Sequence, residues 1–111
     1  MLTVAPHPPA AYVASGAVRV PLAISSWCWG VRCGAPLATT PRQVIAARGA
    51  PVRLELALAP VRTTVSVAGN ATRTTVHGRE ISWPAKRSGG ITAYVRYGRG
   101  WAIYTARLTV R

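Results

Sequence analysis

Two cysteines five positions apart carry the most specific chemistry in this sequence. Gly30 lies between Cys28 and Cys33, and Gly34 follows Cys33, so glycines are available to let the chain reverse. A tight turn of this length can bring two α-carbons within the roughly 7 Å that a disulfide tolerates. Such a bridge closes a very small loop, so chain entropy gives it about 2 kcal/mol of stabilisation. We predict a local disulfide, which implies an oxidising compartment and a secreted or cell-surface protein.

Other states of the cysteine pair stay open: buried free thiols, a metal site or a redox pair. The only histidines, His7 and His77, give no ligand spacing of a known zinc type. The spacing is not C-x-x-C, and no βαβ pattern surrounds it. We therefore expect no metal and no cofactor.

Groups for acid–base or nucleophilic catalysis are scarce. The acids are Glu55 and Glu80, there is no Asp, and no G-x-S-x-G sequence occurs. Both glutamates lie on the outward phase of predicted strands, and neighbouring strands would place them on one face. Paired carboxylates are what glycosidases use, but a flat sheet face is no cleft, so ion pairs with Arg53 or Arg79 are expected instead. We predict a protein that is not an enzyme, with no evident small-molecule substrate.

The charge balance is strongly basic. Fourteen Lys and Arg residues stand against two acids, for a net charge of +12. Such a field favours polyanions, including nucleic acid, anionic glycans and membrane headgroups. Nearly all the cations are arginines, and they are spread along the chain rather than blocked together, as a GC-rich genome would also produce. The charge is thus either functional or compositional.

Hydrophobic residues alternate with polar ones almost throughout. The clearest case runs from Val52 to Leu58, where apolar side chains occupy every second position. No segment has a helical period, and none is long and apolar enough for a transmembrane helix. The pattern predicts an all-β fold, a single Ig-like antiparallel β-sandwich of about seven to eight short strands. The predicted strands are Ala17–Ser25, Val44–Ala47, Val52–Leu58, Thr63–Val67, Thr72–His77, Glu80–Trp83, Ile91–Tyr97 and Ala102–Val110.

The domain organisation follows from composition. Residues 1–16 contain Pro6, Pro8 and Pro9 and lack a basic start, so they are predicted to be a flexible lead-in rather than a secretory signal. If the protein is exported, its signal lies upstream or has been removed. Residues 17–111 are predicted to form the sandwich.

The last hairpin has a definite predicted register. A two-residue turn at Arg99-Gly100 pairs Tyr97 with Ala102 and Val95 with Tyr104, which keeps the apolar side chains on one face. A four-residue loop from Gly98 to Trp101 preserves the same pairs. The outward face then carries Tyr94, Arg96, Trp101, Ile103 and Arg107.

Several aromatic and glycine motifs resemble small secreted or lipoprotein Ig-like domains of Gram-positive bacteria, over about residues 17 to 111. The sequence differs from them in its shorter cysteine loop and in the lack of acids near Cys33. The resemblance implies the Ig-like fold and export, and it implies no reaction, because the role of that family is largely unassigned. The motifs are Ser26-Trp27-Cys28-Trp29 with Cys33, Ile81-Ser82-Trp83-Pro84, Gly89-Gly90, and the closing hairpin with Tyr97, Gly100, Trp101 and Tyr104.

The favoured functional hypothesis is a secreted or cell-surface binding or spacer module. Its outward hairpin face mixes aromatic, aliphatic and guanidinium groups, as interfaces do. The partner would be a protein or an envelope polymer. Equally, Tyr94 and Ile103 could be cross-strand neighbours that only stabilise an exposed sheet. The alternative is polyanion binding by distributed arginines, with aromatic rings as stacking groups.

Overall fold

The computed structural model describes residues 7–34, 36–37 and 40–111. Within these ranges the secondary structure is strand and turn, so no helix is long and apolar enough to cross a membrane. The strands are β1 (Tyr12–Ser15), β2 (Val18–Pro21), β3 (Ala23–Trp29), β4 (Arg32–Gly34), β5 (Gln43–Ala46), β6 (Pro51–Glu55), β7 (Arg62–Val67), β8 (Asn70–Thr72), β9 (Thr75–His77), β10 (Glu80–Pro84), β11 (Gly89–Tyr97) and β12 (Gly100–Val110).

The strands form two sheets whose order is that of an immunoglobulin-like sandwich. The first sheet has the order β2-β1-β6-β10-β9, and the second has the order β4-β3-β12-β11-β7-β8. Taking β1 as strand A, the first sheet contains the A-B-E-D arrangement and the second the G-F-C arrangement, extended by C′. The predicted all-β, Ig-like sandwich is confirmed. One pairing is parallel, since β5 runs alongside the end of β12.

The chain contains more strands than predicted, because β1 and β4 lie outside the predicted strands and two of the predicted strands change sheet. The predicted strand Ala17–Ser25 is broken at Leu22: β2 ends at Pro21 in the first sheet, and β3 continues in the second. The predicted strand Thr72–His77 is broken in the same way between β8 and β9. Alternation of apolar and polar residues indicates which side chains are buried, but it does not indicate the sheet in which a strand lies.

The first strand lies inside the segment assigned to the lead-in. Ala11 and Val13 have no exposed surface, Pro8 is also fully buried, and β1 pairs with β6. Residues 11–15 are thus part of the sandwich. A proline-rich segment can pack in this way because proline lacks only the backbone N–H donor. The first six positions of the predicted lead-in lie outside the described residues.

The core lies between the sheets and is mainly apolar, with a buried pair of tyrosines. The largest enclosed side chains include Tyr104, Leu54, Ile81 and Ile91. The Tyr97 and Tyr104 hydroxyls are hydrogen-bonded at 2.8 Å, and the Tyr104 hydroxyl donates to the Pro9 carbonyl at 2.8 Å. Burial raises the pKa of Tyr104, and burial also raises the pKa of Tyr97 despite its hydrogen bond to Tyr104.

The closing hairpin has a different register from the predicted one. Tyr97 pairs with Gly100 and Val95 with Ala102, so the two turn residues are Gly98 and Arg99. The predicted pairing was therefore wrong by two positions, which leaves every side chain on its predicted face. In this register Gly100 pairs with Trp29 of β3, where a Cβ at position 100 would sit 2.1 Å from the Cys28 carbonyl oxygen. Gly100 serves a close approach of β3 rather than the turn.

Candidate functional site

The outward face of the second sheet brings four of the five predicted binding residues together. Arg96 lies directly opposite Trp101, and Tyr94 lies directly opposite Ile103. The Tyr94 and Trp101 rings are diagonal neighbours, with centroids 5.9 Å apart and planes tilted by 31°. All but Arg96 are half-buried, so they present ring and methyl surface while being held by their neighbours. We call these four residues the hairpin face.

Arg107 is the predicted residue that lies apart. It is exposed and occupies the other half of β12, where it pairs with Gly90 on one side and Gln43 on the other. Six residues of extended chain separate it from Trp101, which corresponds to roughly 20 Å. A partner that contacts the hairpin face reaches Arg107 only if it extends along the strand.

The predicted disulfide is present, and it belongs to the same surface as the hairpin face. Cys28 is bonded to Cys33, its direct partner between β3 and β4, and it also lies directly opposite Trp101. Gly30 adopts a φ of 63° in the turn of this short hairpin, a conformation that suits glycine. The bridge is local, as predicted, and it fixes a two-stranded extension at the side of Trp101.

Pattern reading missed three further residues around the hairpin face. Arg62 begins β7 one position before the predicted strand and lies directly opposite Arg96, so two arginines occupy neighbouring positions on this face. Val31, at the tip of the disulfide hairpin, is fully exposed, and Val61 is 69% exposed beside the start of β7. The two hairpin tips touch, because the Gly30 amide donates to the Arg99 carbonyl at 2.8 Å. Strand pairing brings these residues together, and the sequence pattern carries no pairing signal.

The two glutamates are direct cross-strand neighbours on the outward face of the first sheet, as expected. The expected ion pairs with Arg53 or Arg79 were wrong, because these arginines donate to the Gly16 and Ala57 carbonyls. Glu55 instead accepts from Arg19 Nε at 2.6 Å.

The Arg19 guanidinium lies 3.7 Å from the centre of the Tyr12 ring. Salt pairing and a cation–π contact thus occupy the glutamate face. Neither the glutamates nor the histidines line the two surface hollows that lie beside Trp83. Across the described ranges, no group of three or more His, Cys, Asp or Glu side chains could hold a metal ion.

The strand order defines the class of this protein as an Ig-like β-sandwich domain. No protein-family model matches the chain, and no curated protein matches it. Among solved structures, the chain is similar to a chimeric titin Z1Z2 carrying an exogenous KLER peptide from decorin, at 20% identity and a TM-score of 0.44, over 63% of this chain and 87% of that one.

A second similar structure is the complex of titin M10 with a point mutant of an obscurin-like 1 Ig domain. The identity is 19% and the TM-score 0.43, over 79% of this chain and 95% of that one. Similarity at this level is weak, so the fold assignment rests on the strand order of this chain.

Proposed function

We propose that this protein is a non-enzymatic, secreted or cell-surface binding module whose contact surface is the hairpin face with Arg62. The observation that carries the proposal is the row formed by Cys28, Trp101, Arg96 and Arg62 across four paired strands. It places an aromatic side chain between a disulfide-fixed edge and two cations. Aromatic and Arg side chains are the groups that dominate binding energy at protein interfaces.

The chemistry of this row indicates what a partner must offer. Arg96 and Arg62 are exposed neighbours of like charge, so a carboxylate placed between them would be held by both. The half-buried Tyr94, Trp101 and Ile103 form an apolar patch beside these cations. A protein or envelope-polymer segment with an acidic group next to an apolar one matches this arrangement.

The arrangement also favours a preorganised surface. Tyr94 and Trp101 support each other as a tilted aromatic pair, and the Val61 amide donates to the Arg96 carbonyl at 2.7 Å, which fixes the strand beneath Arg96. Rigid aromatic side chains lose little conformational entropy on binding. A face of this kind needs few contacts to bind specifically.

Site-specific photo-cross-linking tests the proposal. A benzophenone amino acid is placed at the exposed Val61 beside the hairpin face and, as the matched control, at the exposed Val76 of the opposite sheet. Both variants are incubated with cell-surface proteins and envelope polymers from the source organism and irradiated. We expect a discrete adduct from position 61, absent from position 76 and lost when Arg96 is changed to Ala. Equal adducts from both positions, or none from position 61, would contradict the proposal.

The polyanion alternative makes a different prediction for the same surface. Polyanion binding releases counterions, so its affinity falls steeply with salt. A partner held by one or two carboxylates has a shallow salt dependence. Binding to heparin or DNA at low ionic strength, with a steep salt slope that depends on no single arginine, would favour the alternative.

A further inference from the structure

An open cleft lies at the edge of the sandwich, away from the hairpin face. It consists of two adjoining hollows of about 390 and 410 Å³. Both are lined by Arg73, Trp83, Pro84 and Lys86, so the two hollows adjoin at these four residues. Volumes of this size are in the range of small-ligand sites.

The charged side chains of the cleft are all cationic. Arg73 and Lys86 line both hollows and Arg87 lines the first, while no carboxylate lines either one. Lys86 is the only lysine of the chain. Among the residues that the structure describes, the ion pair present is Arg19–Glu55, so these three cations have no acidic partner. An uncompensated positive concavity concentrates field lines and attracts anions.

The loop that carries Lys86 and Arg87 is fixed on both sides. Ala85 is fully buried, its amide donates to the Ala50 carbonyl at 2.8 Å, and its carbonyl accepts from the Gly49 amide at 2.7 Å. On the far side, Ser88 Oγ accepts from the Val110 amide at 2.8 Å. The two cations thus lie between two anchored residues, which fixes the backbone that carries them at the border of the cleft.

Arg73 approaches the cleft from a different element. It follows β8 of the second sheet and precedes β9 of the first, so it lies where the chain crosses between the sheets. Thr72 and Thr75 flank this crossing and also line the cleft, where hydroxyls can donate or accept. Cations from two separate elements therefore border one depression.

We infer that this cleft binds a ligand bearing a phosphate or sulfate group. Such groups offer three or more acceptor oxygens, which suits three cations and the hydroxyls beside them better than a carboxylate with two. Trp83 is 4% exposed, so the cleft has no free ring on which a nucleobase could stack. The exposed Ala71 and Pro84 form an apolar wall that leaves room for a small non-aromatic body attached to the anionic group.

This site is independent of the proposed binding face. Arg87 precedes the first residue of β11, and Arg96 lies near its last residue. The nine residues of β11 span roughly 30 Å when extended. Loss of one site leaves the other intact, so the two proposals can fail separately.

Titration followed by two-dimensional amide NMR tests the inference. The full chain, at low ionic strength, is titrated with inorganic phosphate, inorganic sulfate and galactose 6-sulfate. We expect saturable shifts of amides in residues 70–75 and 85–88, with a Kd of about 1 mM or tighter for at least one probe. Equal affinity for free and sugar-linked sulfate would identify the anionic group alone as the ligand, and tighter binding of the sugar sulfate would add the apolar wall.

Matched variants separate the cleft from the general charge of the protein. Lys86→Gln/Arg87→Gln removes two charges at the cleft, and Arg32→Gln/Arg99→Gln removes two exposed charges at the hairpin tips. We expect at least about a tenfold loss of affinity in the first variant and in Arg73→Gln, because hydrogen bonds to charged groups are strong. The hairpin-tip variant should bind within about twofold of the parent. Equal losses in both double variants, or no saturable shift with any probe, would overturn the inference.

Discussion

At the scale of single residues, the buried tyrosines are the most consequential polar groups of the core. The Tyr97 and Tyr104 hydroxyls bond to each other, and Tyr104 also reaches the Pro9 carbonyl, so both phenols are satisfied without water. This chain of bonds ties β11 and β12 to the segment before β1. Both tyrosines are held in the neutral form, because a phenolate would be desolvated there.

The raised tyrosine pKa values make the fold sensitive to alkali. Above about pH 10 the unfolded chain loses phenolic protons that the folded chain keeps, so folding stability must fall as pH rises. The stabilising contribution is complete below about pH 10 and is lost above it, at up to about 1.4 kcal/mol per pH unit for each tyrosine. Urea unfolding between pH 8 and pH 11.5, taken as the experimental window, measures this slope.

The control for the alkaline slope is Tyr97→Phe/Tyr104→Phe. This variant lacks both phenols, so its free energy of unfolding should vary less with pH in the same window. Parallel loss of stability in the parent and in the variant would show that other groups cause the alkaline sensitivity.

At the scale of elements, β12 is the strand on which the second sheet depends. It pairs with β11 along one edge, and with β3 and then β5 along the other. Gly100 lies where β3 approaches too closely for a Cβ, and it pairs with Tyr97 in the closing hairpin. The same register sets Trp101 between Cys28 and Arg96.

Two glycine substitutions test this register. Gly100→Ala places a Cβ 2.1 Å from the Cys28 carbonyl oxygen, so we expect a loss of about 3 kcal/mol in the free energy of unfolding. Gly98→Ala is the matched control, since nothing lies within 4 Å of its Cβ position, and it should change stability by less than about 0.5 kcal/mol. Chemical denaturation measures both. Similar losses for the two variants would contradict the observed register.

The disulfide is expected to act on one element rather than on the whole fold. Removing it in Cys28→Ser/Cys33→Ser should cost about 2 kcal/mol, because the closed loop is short. The far-UV circular dichroism spectrum should keep its β-sheet form, while amide protection in β4 should fall first, since β4 pairs only with β3 within the described residues. Complete unfolding of the double variant at 25 °C would show that the bridge is a global staple.

Alternation predicted β6, β10 and the two strands of the closing hairpin, because each lies in one sheet with one buried face. The predicted strand Val52–Leu58 was too long, since β6 ends at Glu55 and Leu58 is exposed. The changes of sheet at Leu22 and after Thr72 could not be predicted, because alternation does not indicate the sheet in which a strand lies. Alternation also did not predict β1, a short strand that follows several prolines in the predicted lead-in.

The candidate site was predictable to the same extent. The outward phase of β11 and β12 was readable from the alternation, so Tyr94, Arg96, Trp101 and Ile103 were found together. Arg62 and the cleft cations come from other elements, and their proximity depends on long-range pairing and on loop anchors. No local pattern encodes either of these.

At the scale of the whole molecule, charge is distributed unevenly despite the uniform spread of arginines along the chain. Glu55 and Glu80, the only acidic side chains, are neighbours on the first sheet, and Arg19 pairs with one of them. The hairpin face and the cleft contain no carboxylate. No acidic side chain thus compensates the positive charge at the hairpin face or in the cleft.

The central claim is that the hairpin face is the contact surface of a binding module, and one affinity comparison tests it most directly. Using the partner captured from position 61, the Kd is measured at 150 mM salt, a chosen experimental condition, for the parent, for Arg96→Ala/Trp101→Ala and for the matched control Arg53→Ala/Val76→Ala on the opposite sheet. We expect a loss of at least about 100-fold in the first variant and little change in the control. Undiminished binding by a folded Arg96→Ala/Trp101→Ala variant would contradict it.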